Sequence, residues 1–213
     1  MEKIIILGHG GHAKSLADAI EREGKYQIAG YIVNDASIEL DKTDYPIIGD
    51  DYALADLYKS GIHYAAIGIG YLGKGNIRNK LYEQLKTIGY SLPVICDPSA
   101  ILSKKVEIGE GTFIGKGTVI NTGVTVGKAC IINTGAIVEH DCSIGDFSHI
   151  AVGTILCGGV SVGESVFIGA NATVVQEITI GNSTIIGAGT VLLADADEKC
   201  TLVGNPGRIV KRC

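Results

Sequence analysis

A six-residue period runs through the second half of this 213-residue chain and constrains its fold more than any other feature. From Leu102 to Leu192 every sixth residue is Leu, Ile or Val, without a slip. The next position is often glycine, and the fourth residue after the aliphatic one is small or β-branched almost throughout. Six residues suit a short strand and a tight corner, and three such edges close a coil of 18 residues, which predicts a parallel β-helix of about five coils.

Residues one coil apart become vertical neighbours in such a β-helix, and this spacing singles out one histidine. His140 stands at a position with no reason to point inward, with Glu139 and Asp141 beside it, and Gly158 lies one coil above it. A solvated surface histidine is the plain interpretation. The side-chain-free backbone of Gly158 favours a different one, in which an accessible imidazole borders an open slot.

Residues 1–95 follow a different pattern, in which strands alternate with helices. Strands are predicted over residues 3–7, 27–33 and 63–70, and helices over 14–23, 52–59 and 76–88. Such alternation is typical of a small Rossmann-like parallel sheet with helices on its faces. We therefore divide the chain into an α/β domain over 1–95, a β-helix over 96–193 and a C-terminal tail over 194–213.

A glycine loop follows the first predicted strand. Gly8, Gly10 and Ala13 satisfy the G-x-G-x-x-G/A pattern, and Asp35 lies 22 residues beyond Ala13, near the distance at which an acidic residue meets a ribose. The pattern is compatible with NAD, with a nucleotide-sugar diphosphate, or with a purely structural strand-to-helix turn. The unit is short for a complete dinucleotide fold, and a glycine turn at a helix N-terminus binds any phosphate, so a nucleotide sugar is favoured.

Charge and cysteine usage restrict the partners of the chain. The net charge is −5, and no Lys/Arg cluster indicates a nucleic-acid or anionic-membrane surface. No apolar run approaches the length of roughly 20 residues that spans a bilayer. The six cysteines show neither C-x-x-C nor zinc spacing, and no signal peptide precedes the glycine loop. These features indicate a cytoplasmic, metal-free protein with a small-molecule partner.

The hexads resemble those of the hexapeptide-repeat acyltransferases. Residues 137–142 (Ile-Val-Glu-His-Asp-Cys), 145–149 (Gly-Asp-Phe-Ser-His) and 204–208 (Gly-Asn-Pro-Gly-Arg) resemble the bacterial sugar acetyltransferases that act on nucleotide-linked 4-amino sugars or on sialic acid. The resemblance implies an α/β N-terminal domain followed by a left-handed parallel β-helix, whereas parallel crossovers are in general right-handed. It also implies a homotrimer that binds acetyl-CoA in the groove between neighbouring prisms.

The resemblance assigns roles to individual residues. His140 becomes the general base, Asp141 the carboxylate that orients it, and His149 a residue near the thioester. The expected sugar-nucleotide pocket contains Gly10, Gly11, His12, Asp35, Gly68, Ile69 and Gly70. The expected acetyl-CoA contacts are His149, Gly158, Ala170, Ala188, Pro206 and Arg208. The chain departs from the subgroup at Gly207, where many members carry alanine, and at residues 71–75, which enlarge the loop after Gly70.

The chemistry of the residues agrees with these roles. A sugar ammonium must lose a proton before it attacks a thioester, and imidazole, with an ordinary pKa of about 6.5, is suited to take it. An inward-pointing Cys130 or Cys142 is a poor acyl carrier, so direct transfer is expected.

We therefore expect N-acetylation of a nucleotide-linked 4-amino-4,6-dideoxy sugar in surface-glycan assembly. Three alternatives remain open: O-acetylation of sialic acid, an NAD-dependent oxidoreductase whose β-helix only oligomerises, and a non-catalytic solenoid.

Overall fold

The computed structural model describes residues 1–34 and 45–212, and its first part is a parallel α/β domain. The elements of this domain are β1 (Glu2–Leu7), α1 (Gly11–Glu23), β2 (Tyr26–Ile32), β3 (Ile47–Gly49), a 3₁₀ turn (Asp51–Ala53), α2 (Leu54–Lys59), β4 (Tyr64–Ile67) and α3 (Ile77–Ile88). The four strands form one parallel sheet in the order β3-β2-β1-β4. The last four residues of β1 are all buried aliphatic side chains, as expected for a strand covered on both faces.

The second part is a three-sided parallel β-helix whose strands pair with the strands 18 residues away. Face 1 consists of Ile95–Cys96, Phe113–Ile114, Ile131–Ile132, His149–Ile150, Phe167–Ile168 and Ile185–Ile186, continued by Cys200–Val203 and the antiparallel Arg208–Arg212. Face 2 consists of Ile101–Leu102, Val119–Ile120, Ile137–Val138, Ile155–Leu156, Thr173–Val174 and Val191–Leu192. Face 3 consists of Glu107–Ile108, Thr125–Val126, Ser143–Ile144, Ser161–Val162 and Thr179–Ile180.

The interior of the prism explains the sequence period. The second residue of almost every strand is buried and packs against its equivalents in the coils above and below. Small polar residues share this interior, and apart from Thr190 their hydroxyls are paired: Ser148 Oγ donates to the Gly163 carbonyl at 2.8 Å, and Thr154 Oγ1 donates to the Gly169 carbonyl at 3.0 Å. Buried hydroxyls paired in this way avoid the cost of desolvation.

The α/β domain is seated on face 1. Ile95, Phe113 and Ile131 point outward from that face and pack in one cluster with apolar residues of α1 and β1. An ion pair reinforces the contact, because Arg22 at the end of α1 donates to the fully buried Asp97 carboxylate at 2.7 Å. The seating fixes the position of the glycine loop relative to the prism.

Residues 71–75, which we call the strap, run from the end of the α/β sheet onto face 1. The Tyr71 hydroxyl donates to the Ser165 carbonyl at 2.8 Å, and Gly73 lies against Phe167 and Ile185 so closely that a Cβ there would be 2.6 Å from Ile185 Cγ1. The enlarged loop after Gly70 therefore covers part of face 1. Within residues 1–34 and 45–212, no helix has both the length and the apolar character that crossing a bilayer requires.

Candidate functional site

His140 lies at the corner between faces 2 and 3, next to a carboxylate. Its side chain is 57% exposed, and its Nδ1 is 2.9 Å from Oδ2 of Asp141. Asp141 adopts a left-handed backbone conformation with φ 59°, which turns the chain at this corner. Its Oδ1 lies against Gly123, one coil below, where a φ of +76° favours glycine. An Nδ1–H that donates to Asp141 leaves Nε2 as the accessible basic atom.

Gly158 forms the other side of the slot, as the 18-residue spacing predicts. A Cβ at this position would be 2.6 Å from both Cε1 and Nε2 of His140, which is closer than real Cβ atoms approach. The imidazole therefore occupies space that exists only because residue 158 has no side chain. The Gly158 N–H has no acceptor among the residues that the structure describes, and it adds a backbone donor beside the imidazole.

A second carboxylate flanks the histidine on the side of face 2. Asn121 Nδ2 donates to Oε2 of Glu139 at 2.7 Å, and the same oxygen accepts the His140 backbone N–H at 3.3 Å. The corner thus brings together an imidazole, two carboxylates and an amide N–H that has no acceptor in the described part of the chain. This set can accept a proton from a nucleophile and donate a hydrogen bond to a developing oxyanion.

A separate concave feature is a cleft in the α/β domain with a volume of about 360 Å³. It is lined by His9, Gly10, Gly11, His12, Gly68, Ile69, Gly70 and Leu72. The structure thus brings together six of the seven residues predicted for the sugar-nucleotide pocket. The seventh, Asp35, lies outside the described residues.

The N-terminus of α1 opens into this cleft. Gly8, which precedes it, needs glycine because its φ is +96° and a Cβ would lie 2.8 Å from Ile69 Cγ1. At Gly10 and Gly11 there is open space within 4 Å. The free N–H groups and dipole of the first turn of α1 favour an anion there.

His12 also lies in the first turn of α1, with its ring edge-on to Phe113. Burial, together with the charge of Arg78, lowers the pKa of His12 to about 3. Its Nε2 is buried and finds no partner in the described part of the chain. A neutral ring with an unpaired nitrogen can form a hydrogen bond with a ligand but cannot supply positive charge.

His149 lies on face 1, whereas His140 lies at the far edge of face 2. It is 6% exposed beneath the strap, with Nδ1 2.6 Å from the Tyr71 carbonyl and Nε2 3.2 Å from Nδ2 of Asn133. Burial lowers its pKa to about 4, so the ring is neutral at neutral pH. Nδ1–H therefore donates to Tyr71, and Nε2 accepts from Asn133. Within one chain the two histidines do not share a surface.

The remaining residues predicted to contact acetyl-CoA cluster at the corner between faces 1 and 2. Ala170 and Ala188 stack one coil apart, and the Gly189 N–H donates to the Ala170 carbonyl at 2.8 Å. The hairpin turn that contains Pro206 and precedes Arg208 continues this corner, because the Gly207 N–H donates to the Val191 carbonyl at 2.8 Å. Gly158 and these residues thus occupy opposite edges of face 2.

Buried cysteines are unsuited to carry an acyl group. Cys130 and Cys142 point into the prism, and burial raises the pKa of Cys130 to about 12 and that of Cys142 above its ordinary range. Both therefore stay protonated at neutral pH. Over residues 1–34 and 45–212, no group of three His, Cys, Asp or Glu residues is arranged to hold a metal ion.

The structure reveals two features that our sequence interpretation missed. The first is Arg78, which is 2% exposed between the cleft and the prism. The second is the outward column of face 2, which is aliphatic at five of six positions: Ile101, Val119, Ile137, Ile155, Thr173 and Val191. The matching column of face 3 is polar throughout, with Glu107, Thr125, Ser143, Ser161 and Thr179. This contrast is visible in the sequence, but only if the outward residues are sorted by face.

Comparison with protein-family models supports both halves of the architecture. The PglD N-terminal domain matches residues 3–85. The hexapeptide repeat of succinyl-transferase matches residues 105–140, and the bacterial transferase hexapeptide matches residues 159–194. No curated protein sequence matched the chain.

Solved structures match the chain over its whole length. PerB from Caulobacter crescentus, crystallised with CoA and GDP-perosamine, is 36% identical with a TM-score of 0.92, over 99% of this chain and 98% of that one. The acetyltransferase domain of PglB from Neisseria gonorrhoeae FA1090, in complex with acetyl coenzyme A, is 30% identical with a TM-score of 0.89, over 98% and 99% of the two chains. WeeI from Acinetobacter baumannii AYE, at 20% identity and a TM-score of 0.68, supports the fold alone. The expected fold class, a small Rossmann-like domain followed by a left-handed parallel β-helix, is confirmed.

Proposed function

Since this chain belongs to the hexapeptide-repeat sugar N-acetyltransferases with a PglD-type N-terminal domain, we propose that it acetylates the 4-amino group of a nucleotide-linked 4-amino-4,6-dideoxy sugar for surface-glycan assembly. Acetyl-CoA is the donor. The observation that carries the proposal is the combination of full-length similarity to a CoA and GDP-perosamine complex with an exposed His140–Asp141 pair beside Gly158.

His140 acts as the general base in this proposal. Its Nε2 removes a proton from the sugar amine as the amine nitrogen attacks the thioester carbonyl carbon. Asp141, 2.9 Å from Nδ1, holds the tautomer that leaves Nε2 basic and stabilises the imidazolium that forms. Transfer is direct, because the buried cysteines provide no accessible thiolate.

Gly158 serves the second half of the reaction. Its N–H donates to the oxyanion of the tetrahedral intermediate. Because Gly158 is adjacent to His140, this donor and the general base can act on the same substrate carbon and its attacking amine. The carbon–sulfur bond then breaks. The imidazolium returns its proton to the departing thiolate, which restores neutral His140 and releases CoA.

The nucleotide sugar binds in the cleft of the α/β domain. The N-terminus of α1, open at Gly10 and Gly11, receives the diphosphate, and neutral His12 offers a hydrogen bond without charge. Gly68, Ile69 and Gly70 form the opposite wall. Asp35, which the sequence also assigns to this pocket, lies outside the described residues. We accordingly assign residues 1–95 to the nucleotide sugar, 96–193 to acetyl transfer and 194–213 to a tail that borders the CoA site.

The chain functions as a cytoplasmic homotrimer, with face 2 as the contact surface. Face 1 is covered by the α/β domain and face 3 is polar, whereas face 2 exposes Ile101 at 66% and Ile155 at 36%. The two edges of face 2 carry His140 and Gly158 on one side and Ala170, Ala188, Pro206 and Arg208 on the other. Acetyl-CoA between two copies would therefore contact one edge from each copy, and His149 contributes by holding the strap.

Mass spectrometry and NMR of the product test the function. The purified protein is incubated with acetyl-CoA and a panel of UDP-, dTDP- and GDP-linked 4-amino sugars, with free sialic acid as a competing acceptor. We expect one acetyl amide on a nucleotide-linked sugar. An acetyl ester on sialic acid would instead support O-acetylation of sialic acid. Oxidation of the sugar in a parallel incubation with NAD would support the oxidoreductase.

Sedimentation of a charged variant tests the trimer. Ile155→Asp on face 2 should dissociate the assembly, because it places carboxylates in an apolar contact. Ser161→Asp, at the equivalent outward position of face 3, is the matched control and should leave the assembly intact. Equal behaviour of the two variants would exclude face 2 as the contact surface.

A further inference from the structure

Arg78 is a buried cation without a buried anion. It lies in the first turn of α3 and is 2% exposed, yet no carboxylate within residues 1–34 and 45–212 forms an ion pair with it. Burial lowers its pKa to about 10, so the guanidinium stays charged at neutral pH. Removing an ion from water is costly, and a well-packed apolar side chain is often at least as stable. A plain structural role therefore explains poorly why a charge is kept here.

The guanidinium is held by three backbone carbonyls from separate parts of the fold. Nη1 donates to the carbonyls of Ile67 at 3.1 Å and Ile69 at 2.5 Å, and Nη2 donates to the carbonyl of Ala129 at 2.9 Å. Ile67 ends β4, Ile69 belongs to the wall of the cleft, and Ala129 lies at a corner of the prism. A planar guanidinium with several N–H donors can reach all three carbonyls, whereas a lysine ammonium offers its donors from a single point.

The contact with Ile69 ties Arg78 to the geometry of the cleft. Ile69 packs directly against Gly8 at the start of the glycine loop, and Gly68 and Gly70 on either side of it also line the cleft. Arg78 thus ties the wall both to the end of β4 and to the β-helix. The charge of Arg78 also acts on the cleft, because it contributes to the lowered pKa of His12 and so helps to keep that ring neutral.

We propose that Arg78 is a positioning residue for the nucleotide sugar: its guanidinium clamps the cleft wall, residues 68–70, and the preceding Ile67 to the β-helix. The residue does not touch the reacting atoms and acts through Ile67 and Ile69. The proposal rests on the proposed function in that it takes the cleft to be the nucleotide site. The unpaired positive charge behind that cleft also favours a bound diphosphate over a neutral ligand.

Two measurements on Arg78→Lys test the clamp. The first is calorimetric titration with acetyl-CoA and with the tightest-binding nucleotide of UDP, GDP and dTDP. The second is hydrogen-exchange mass spectrometry of peptides that cover residues 67–75. The matched control is Tyr82→Phe, which breaks the 2.5 Å hydrogen bond from α3 to Glu110 on the prism but leaves the cleft wall untouched.

We expect Arg78→Lys to raise the Kd of the nucleotide about tenfold or more, to leave the Kd of acetyl-CoA within about twofold, and to accelerate exchange in residues 67–75. Tyr82→Phe should change none of the three. Equal weakening of both ligands, or unchanged exchange at the wall, would overturn the clamp in favour of a general structural role.

Other outcomes separate the two proposals. If the wild-type protein binds none of the nucleotides, the assignment of the cleft fails, and hydrogen exchange alone still decides whether Arg78 holds the wall. If Arg78→Lys and Arg78→Gln both fail to fold, Arg78 is a folding determinant and the positioning role is excluded.

Discussion

Replacing Gly158 with alanine should disable the site without unfolding the protein. The new Cβ would lie 2.6 Å from Cε1 and Nε2 of His140, about 1 Å inside an ordinary van der Waals contact. The His140 side chain is 57% exposed and can rotate toward solvent, so the substitution should cost little folding stability. A displacement of about 1 Å at a catalytic group costs on the order of 10²-fold in rate, which corresponds to about 2.7 kcal/mol in the barrier.

The assay is kcat/KM measured by release of the CoA thiol, with circular dichroism to verify folding. The matched control is a double-mutant cycle with His140→Ala, in which the alanine at 158 no longer has an imidazole to displace. We expect Gly158→Ala to cost about 10²-fold alone and nearly nothing in the His140→Ala background. Activity within about twofold of wild type, or the same loss in both backgrounds, would refute the steric argument.

Two further predictions concern residues next to the two sites. Asp141→Asn should lower kcat/KM about tenfold or more, since the amide no longer stabilises the imidazolium, and an unchanged value in steady-state kinetics would exclude the orienting role. The pKa of His149, lowered by burial from 6.5 to about 4, should make folding pH-dependent: its stability contribution is complete above pH 6.5 and is lost as the pH falls to about 4. Urea titrations measure the unfolding free energy at each pH. Between pH 6.5 and about 4 it should fall by about 3 kcal/mol less for His149→Gln than for wild type. An equal fall in the two proteins would contradict a buried, neutral His149.

The prism could be predicted from the sequence because each coil contacts only its neighbours. A period of six therefore determines which residues are buried and which stack, and it placed His140 beneath Gly158 correctly. The α/β alternation was predicted equally well, except for β3 (Ile47–Gly49), whose three residues are too few to show a period. The cleft of the α/β domain could also be predicted, because the glycine loop that lines it is a local feature of the sequence.

Long-range contacts account for what the sequence did not predict. His149 contacts Asn133 and Phe167 of the prism, but the strap that covers it is a long-range contact, because the Tyr71 carbonyl that its Nδ1 reaches is 78 residues away in sequence. Arg78 fits the polar pattern of an ordinary helix, and only its contact with Ala129, 51 residues away, reveals its position. Periodicity reports neighbours within an element, so a junction between two domains leaves no such signal.

The most direct test of the account is the steady-state rate of acetyl transfer by His140→Ala to a nucleotide-linked 4-amino sugar. Titration calorimetry with CoA and with the nucleotide verifies that both ligands still bind. A base at this corner predicts a loss of about 10² to 10⁴-fold in kcat with both affinities preserved. A variant that turns over at the wild-type rate would show that the exposed imidazole beside Gly158 does not take the proton.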